Sequence, residues 1–476
     1  MFKKITAYIA AVIICTGSLT LSALPSPLNY QYDENNESIP APETYTAAAV
    51  YYGTDFGIGA LNSPSDIFVD KSNQIYIADT GNNRIVVLNQ KFEHIRTIDR
   101  VSGNELETFS NPMGVYAEDG MVYICDTGNA RAISVNSGNE IVRYITGANM
   151  VSVNENFAFQ PEKIILDKND NILISSSAIY QGILRFDENN EFKNFFAPNQ
   201  VEATFETFLL SLLKSFFTDE QKEGVAKQLP APYSNICLGK DSFIYATSQN
   251  VAAGQDIKCL NSAGTNTLTF ASANSGKTVY GDYQSAYKNT TFVDINCDIN
   301  GNILVADRQT GRLFLYDQEC NLMAIFGGLG DRDGQFSEIS AIEKIGESYL
   351  VLDKIKGSIT VFSPTEYMQK LLEAMEYYRR CEYIESEQIW QELLESNSNL
   401  PLAYCSLGRS KYHLGEYKLA MEYLEKGGDT YFYSLALNEY RKEFVQNHFV
   451  VLIVGGASAL AIIIFIIRWI RKKLSE

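Results

Sequence analysis

The sequence predicts an all-β six-bladed propeller carrying an inserted helical hairpin, followed by an α-helical module and one transmembrane helix. Three observations predict it. A three-strand pattern recurs six times between Leu61 and Phe362. After Pro364 the apolar period changes from that of a strand to that of a helix. An uncharged apolar run then extends from Phe449 to Ile467.

The first copy of the pattern is LNSPSDIFVDKSNQIYIADTGNNRIVVLN, from Leu61. A turn with Pro64 leads into an alternating strand, Ile67 to Asp70, and a tight turn leads into Ile75 to Ala78. The polar turn Asp79 to Asn83 precedes a third strand, Arg84 to Leu88. Further copies start at Phe109, Phe159, Tyr233, Thr291 and Phe336. One such unit is too small to bury both its faces, so the units must stack, and stacking around an axis gives a propeller.

The turns DTGNNRI (Asp79 to Ile85), DTGNAR (Asp126 to Arg131) and DRQTGRL (Asp307 to Leu313), each after a strand ending in Asp, resemble the NHL repeat signature. The resemblance covers roughly Ala47 to Phe362. Copies three, four and six depart from it, with SSSAIYQG, TSQN and DKIKG at the turn. Asp79, Asp126 and Asp307 are expected to bond turn amides, and Arg84, Arg131 and Arg312 to bridge neighbouring blades. The propeller is assigned to residues 45–362. Its sixth blade lacks a fourth strand, which YTAAAVYY (Tyr45 to Tyr52) can supply, closing the ring and removing an exposed edge.

Two segments interrupt the repeats. Residues 201–229 carry Phe205, Phe208, Leu209, Leu212, Leu213, Phe216 and Phe217 at helical spacing, with a second helix starting at Thr218 and stopped by Pro230. Residues 262–289 form a polar loop whose Tyr280, Tyr283 and Tyr287 are candidates for stacking on a carbohydrate.

Residues 364–448 read as a helical module. Ala403, Tyr404, Leu407, Gly408, Tyr412, Gly415, Tyr417, Ala420 and Leu424 resemble a TPR repeat, and an earlier copy lies 34 residues before it, so that Tyr383 corresponds to Tyr417. TPR arrays hold peptides or helices in a groove, which makes Tyr404 and Tyr412 groove candidates. The alternative is a spacer between propeller and membrane.

Both ends carry membrane signals. Lys3 and Lys4, an apolar stretch from Ile5 and the small residues Ser22 and Ala23 have the layout of a signal peptide, residues 1–23. Residues 24–44 read as a flexible lead. Residues 449–470 are long enough to cross a hydrocarbon core of roughly 30 Å. The basic tail 471–476, with Arg468 and Trp469 at the boundary, sets the C-terminus on the cytoplasmic side and the bulk of the chain outside.

A net charge of -18 and a pI of about 4.8 argue against nucleic acid as a ligand. The eight cysteines contain no CxxC pair, so a zinc site is not expected; a Cys237–Cys259 bond is left open. Propellers of this class include lactonases and a zinc lyase. Only three histidines occur, His94, His413 and His448, and two lie outside the propeller, which excludes a multi-His zinc site within it. A calcium site needs only oxygen ligands, and Asp66, Glu162, Asn235 and Asp294 are the weak axis-facing candidates. The expectation is a membrane-anchored extracytoplasmic binding protein without a cofactor. Its propeller would take a protein or carbohydrate, and its helical module a membrane or surface-assembly partner. The alternative is a calcium-dependent lactonase-like hydrolase.

Overall fold

A computed structural model of the chain describes residues 29–32, 37–150, 158–198, 231–249, 256–268, 280–282 and 290–474. The expected signal peptide, the inserted helical hairpin 201–229, Tyr283 and Tyr287 lie outside the described residues.

Six antiparallel sheets stand around one axis. Blade one spans residues 66–98, blade two 112–146, blade three 163–196, blade four 233–260 and blade five 292–327. Blade six combines residues 339–364 with the strand Tyr45–Tyr52, which pairs antiparallel to Ser358–Pro364. The closure expected from the sequence is therefore present, and one cluster of buried residues, including Ile67, Ile77, Leu350 and Ile359, joins blade six to blade one. Blade four has three strands among the described residues.

Each blade is a meander because its turns are chemically fixed. In the hairpins at Asp70, Asp167 and Asp298, the carboxylate accepts from the amides two and four residues on. The residue three places on is left-handed: Asn73 at φ 59°, Asp170 at 57° and Gly301 at 82°. Alternation along the strands does the rest. The second strands of blades one and five, Ile75–Asp79 and Ile303–Asp307, are buried on both faces between neighbouring blades.

The lead is more ordered than the sequence suggests. Tyr30–Tyr32 and Ser38–Pro40 pair as a small hairpin. Tyr32 Oη donates to Asp282 at 2.6 Å, and the Arg312 guanidinium lies 4.7 Å from the centre of the Tyr30 ring. Two buried tyrosines and a charge on blade five therefore hold this segment in place.

The strand register also removes the Cys237–Cys259 option. Tyr245 pairs with Cys237 on one side and Cys259 on the other. Two strand spacings, about 9.6 Å, exceed the span of a disulfide. The seven described cysteines are all free.

Four helices follow: α1 (Glu366–Arg379), α2 (Tyr383–Ser396), α3 (Pro401–His413) and α4 (Tyr417–Gly427). They form two antiparallel hairpins. The Thr365 hydroxyl caps α1 by accepting from the Met368 amide. Small residues set the helix spacing: a Cβ added at Gly408 would lie 2.5 Å from Leu424 Cγ, while Ser386 donates to the Ala374 carbonyl at 2.8 Å. Buried Met368, Leu371 and Trp390 share a cluster with Phe326 and Phe362, so the first hairpin packs on blades five and six. Arg409 on α3 reaches both Glu319 of blade five, at 2.5 Å, and Asp429, at 2.7 Å. The last helix, α5 (Thr430–Leu474), departs from helical geometry at His448 (φ −112°, ψ 15°). Beyond that point it is long and apolar enough to cross a membrane, with a most apolar stretch of mean hydropathy 3.0 and none of that stretch buried.

Candidate functional site

The inner strands of neighbouring blades adjoin around the axis. Register identifies one equivalent residue in each, the partner of the residue just before the turn that follows the second strand. These are Asp66 (opposite Ala78), Gly114 (Cys125), Lys163 (Ser175), Asn235 (Thr247), Asp294 (Ala306) and Ala341 (Leu352). Each precedes a buried aliphatic residue: Ile67, Val115, Ile164, Ile236, Ile295 and Ile342. That apolar residue anchors the strand between blades, and alternation turns its predecessor toward the axis. Gly114 is required by crowding, since a Cβ there would lie 2.3 Å from the Glu162 carbonyl oxygen of blade three.

Three of the four residues singled out from the sequence, Asp66, Asn235 and Asp294, occupy this ring. Glu162 is one residue out of phase, and its carboxylate instead accepts from the Ser177 hydroxyl, at 2.5 Å, and amide, at 3.1 Å. The axial residue of blade three is Lys163, which the sequence reading missed. The signal was present, because Lys163 stands directly before Ile164 as Asp66 stands before Ile67.

Lys163 crosses the axis. Its Nζ donates to Asp66 Oδ1 at 2.5 Å and lies 3.6 Å from Asp294 Oδ1. Each aspartate also joins its own blade to the next. Asp66 accepts from the Ile67 amide at 3.0 Å and, through its other oxygen, from the Val115 amide at 2.8 Å. Asp294 accepts from the Ile295 amide at 2.9 Å, the Ile342 amide at 2.6 Å and the Asn235 side-chain amide. One ammonium and two carboxylates, with the Asn235 side chain of blade four, thus tie all six blades together.

Burial pulls the Lys163 ammonium toward neutrality, but Asp294 and Asp66 outweigh it and raise its pKa. Burial raises Asp66, opposed by Lys163, and pushes Asp294 up to about 6 against the same opposition. Next to this trio, Glu343 of blade six accepts from the Asn296 side chain at 2.5 Å and the Lys344 amide at 3.0 Å. Burial pushes its carboxyl up to about 8, partly opposed by the Lys344 amide and Lys163, so it is mostly protonated at neutral pH.

A calcium ion does not fit these residues. Every carboxylate oxygen of Asp66 and Asp294 already accepts at least one hydrogen bond, and the Lys163 ammonium sits between them where a cation would have to bind. No group of three or more His, Cys, Asp or Glu among the described residues is arranged to hold a metal ion.

A cavity of about 180 Å³ opens above the trio, on the face that carries the loops leading into the inner strands. Asp66, Lys163 and Asn235 line it, with Gln249, Arg308 and Lys354 among the other lining residues. The Asp–Arg turns stand on this same face. Arg131 is fully buried; it donates to Asp126 at 2.7 Å and to the carbonyls of Leu106, at 2.9 Å, and Thr108, at 3.1 Å. Arg84 repeats this toward Asp79 and the Ile58 carbonyl, at 2.7 and 3.1 Å. Both arginines thus fasten the loop that arrives from the preceding blade. Links to the following blade come from threonines instead, Thr80 to the Pro112 carbonyl at 2.8 Å and Thr127 to that of Pro161 at 2.5 Å. Arg312 differs from the other two in pairing with Asp282.

Tyr280 is 4% exposed, edge-on to Tyr316 at 5.6 Å, and its hydroxyl is 3.5 Å from Cys320 Sγ. Its ring faces the core of blades four and five and offers no open face for stacking. On α3, Tyr404 is half-buried and donates to the Ser398 carbonyl at 3.1 Å. Tyr412 packs edge-on against Phe432 of α5 at 5.7 Å.

Comparison with known proteins agrees with the blade pattern. The family model described as NHL repeat matches residues 61–88, which is blade one without its last strand. No curated protein sequence matches the chain. Among solved structures the chain is similar to a virginiamycin B lyase from Staphylococcus aureus, with a TM-score of 0.40 and 9% identity over 70% of this chain and 87% of that one. It is similar to a gluconolactonase from Xanthomonas campestris, with a TM-score of 0.42 and 8% identity over 69% of this chain and 99% of that one. A protein of unknown function from Bacteroides caccae gives 0.38 and 12% over 68% and 97%. At these identities the likeness transfers no activity. The chain contains a six-bladed propeller with an NHL repeat, a helical module and a C-terminal apolar helix.

Proposed function

We propose that this chain is a membrane-anchored, extracytoplasmic binding protein, and that the propeller face around the axial cavity is its ligand surface. The observation that carries the reading is the Lys163 bridge. The axis, where a metal hydrolase on this architecture would hold its ion, is closed by a side-chain cation. What remains accessible above it is a polar cavity with charged residues of both signs. Such a surface suits recognition by hydrogen bonds and charge. In this reading α5 is the anchor, and the basic residues after Ile467 place the C-terminus in the cytoplasm. The ligand is an extracytoplasmic protein or a carbohydrate. The hairpins α1 to α4 act as two TPR-like repeats. Tyr412 is engaged by Phe432 and Tyr404 by Tyr423 and Lys426, and both stay candidates for contact with a partner.

The test is affinity capture of the full-length protein from its own membranes, comparing wild type with a variant carrying Arg308→Glu and Lys354→Glu, and with Tyr404→Ala. A partner lost only with the first variant supports the propeller face, and one lost only with Tyr404→Ala moves recognition to the helices. A partner retained by both would refute these assignments. Labelling of Cys381 by an impermeant thiol reagent on intact cells checks the sidedness, since Cys381 is exposed between α1 and α2.

A further inference from the structure

A second cavity, of about 550 Å³, lies between α4 with its preceding turn and the lower part of α5. Its position is unusual. The lining extends along α5 through Tyr440, Phe444 and His448, and the next residue, Phe449, begins the apolar run. If α5 spans a membrane, the floor of this groove stands at headgroup depth. The inference therefore rests on the anchor reading given above.

The chemistry of the groove is specific. Tyr440, Phe444 and His448 follow one another at four-residue spacing on one face of α5, with Phe444 stacked on His448 at 4.3 Å. Tyr417 faces them from the start of α4. Three carboxylates also line the groove, Glu416 just before α4, Glu422 from α4 and Glu443 from α5, and of these Glu422 and Glu443 have no ion-pair partner among the described residues. Lys418 is likewise without an ion pair among the described residues. By contrast, Glu416 is paired with Lys411, at 3.3 Å, and Glu439, which does not line the groove, with Lys442, at 2.6 Å. Aromatic rings beside unpaired carboxylates are the donor set that recognises an ammonium group, through ring faces and charge together. Lys418 and His448 add groups suited to a phosphate. A volume of this size is in the range of small-molecule sites.

We infer that this groove binds the headgroup of an amine-bearing phospholipid of the membrane that α5 crosses. The rings of Tyr417, Tyr440 and Phe444 with Glu422 and Glu443 take the ammonium, and Lys418 and His448 the phosphate. The occupant is a lipid because the groove is continuous with the span. A soluble ligand would have to enter at the bilayer surface. Occupancy would brace α4 against α5 and so fix the helical module above the membrane.

The test uses the full-length protein reconstituted in nanodiscs of phosphatidylglycerol with a titrated fraction of phosphatidylethanolamine. Retained lipid is read by native mass spectrometry after release. Wild type should retain the amine lipid preferentially, and Glu422→Gln with Glu443→Gln should lose that preference roughly ten-fold. These positions are exposed, so folding is not at risk, and Glu425→Gln, at an exposed position that does not line the groove, should change nothing. Equal retention of both lipids by wild type, or a preference untouched by the double substitution, would overturn the inference. A protein that fails to enter the bilayer would instead overturn the anchor reading, and carbonate extraction separates the two failures.

Discussion

Replacing Arg131 with Met tests whether the Asp–Arg turns are structural. Arg131 and Asp126 are both 0% exposed, and the guanidinium makes three hydrogen bonds, to Asp126, Leu106 and Thr108. Removing it leaves a buried carboxylate without its counter-charge and takes the guanidinium donor from the Leu106 carbonyl, while the Thr108 carbonyl keeps the Asn129 side-chain amide at 3.0 Å. Breaking such a pair costs roughly 3–5 kcal/mol. Asp126 keeps the Ser110 amide and the Asn129 side-chain amide, each at 2.8 Å, so the lower end, about 3 kcal/mol, applies. Arg84 is the internal control. Its side chain is 18% exposed, water can reach the vacated site, and the same substitution should cost about 1–2 kcal/mol. Thermal unfolding of the full chain in detergent reads the difference of about 1–2 kcal/mol, and Arg131→Met should melt about 2–3 °C below Arg84→Met. Adding Asp126→Asn to Arg131→Met removes the stranded charge and should recover part of the loss. If the two single variants melt alike, or if the double variant is worse than Arg131→Met, the structural account of these turns fails.

Other predictions bear on the axis and the helices. Glu343→Gln should abolish a pH dependence. The folded-state pKa is raised to about 8 from 4.5, so wild type is favoured at low pH and loses that stability as pH rises from about 4.5 through 8. The variant should therefore match wild type near pH 4.5 and exceed it above pH 8 in melting temperature; a constant offset would contradict this. Gly408→Val forces a branched side chain against Leu424 and should destabilise the α3–α4 hairpin by about 1–3 kcal/mol, seen as faster proteolysis between propeller and span. Arg409→Ala cuts the link from α3 to Glu319 and Asp429, and the same proteolysis should accelerate while the propeller stays resistant.

Much of the fold was legible because it is written in local chemistry. The turns at Asp79, Asp126 and Asp307 mark a recurring position, and Tyr45 to Tyr52 has the pattern and place of a closing strand. The helix pairs were legible from small residues such as Gly408 and Ala420. The axis was only partly legible. Polar residues near the start of four inner strands were visible, but Glu162 and Lys163 are adjacent, and a one-residue phase error exchanges the axis for the flank. Pairing with Ser175 resolves the phase. The lead was read from its prolines and acids, whereas its order comes from distant partners, Asp282 and Arg312, that no local pattern reveals. Tyr280 was placed in a polar loop by composition. Its burial against Tyr316 depends on how the loop returns to blade five.

The central claim is that a lysine, and not a divalent ion, closes the propeller axis. The most direct measurement is a calcium titration of melting temperature, with elemental analysis, on purified wild type and Lys163→Ala. Wild type should hold no stoichiometric metal and show no calcium shift. Lys163→Ala should melt lower, because Asp66 and Asp294 then face one another unneutralised, and calcium should partly restore that variant. A stoichiometric divalent ion in wild type, or a calcium shift of several degrees that Lys163→Ala leaves unchanged, would contradict the claim.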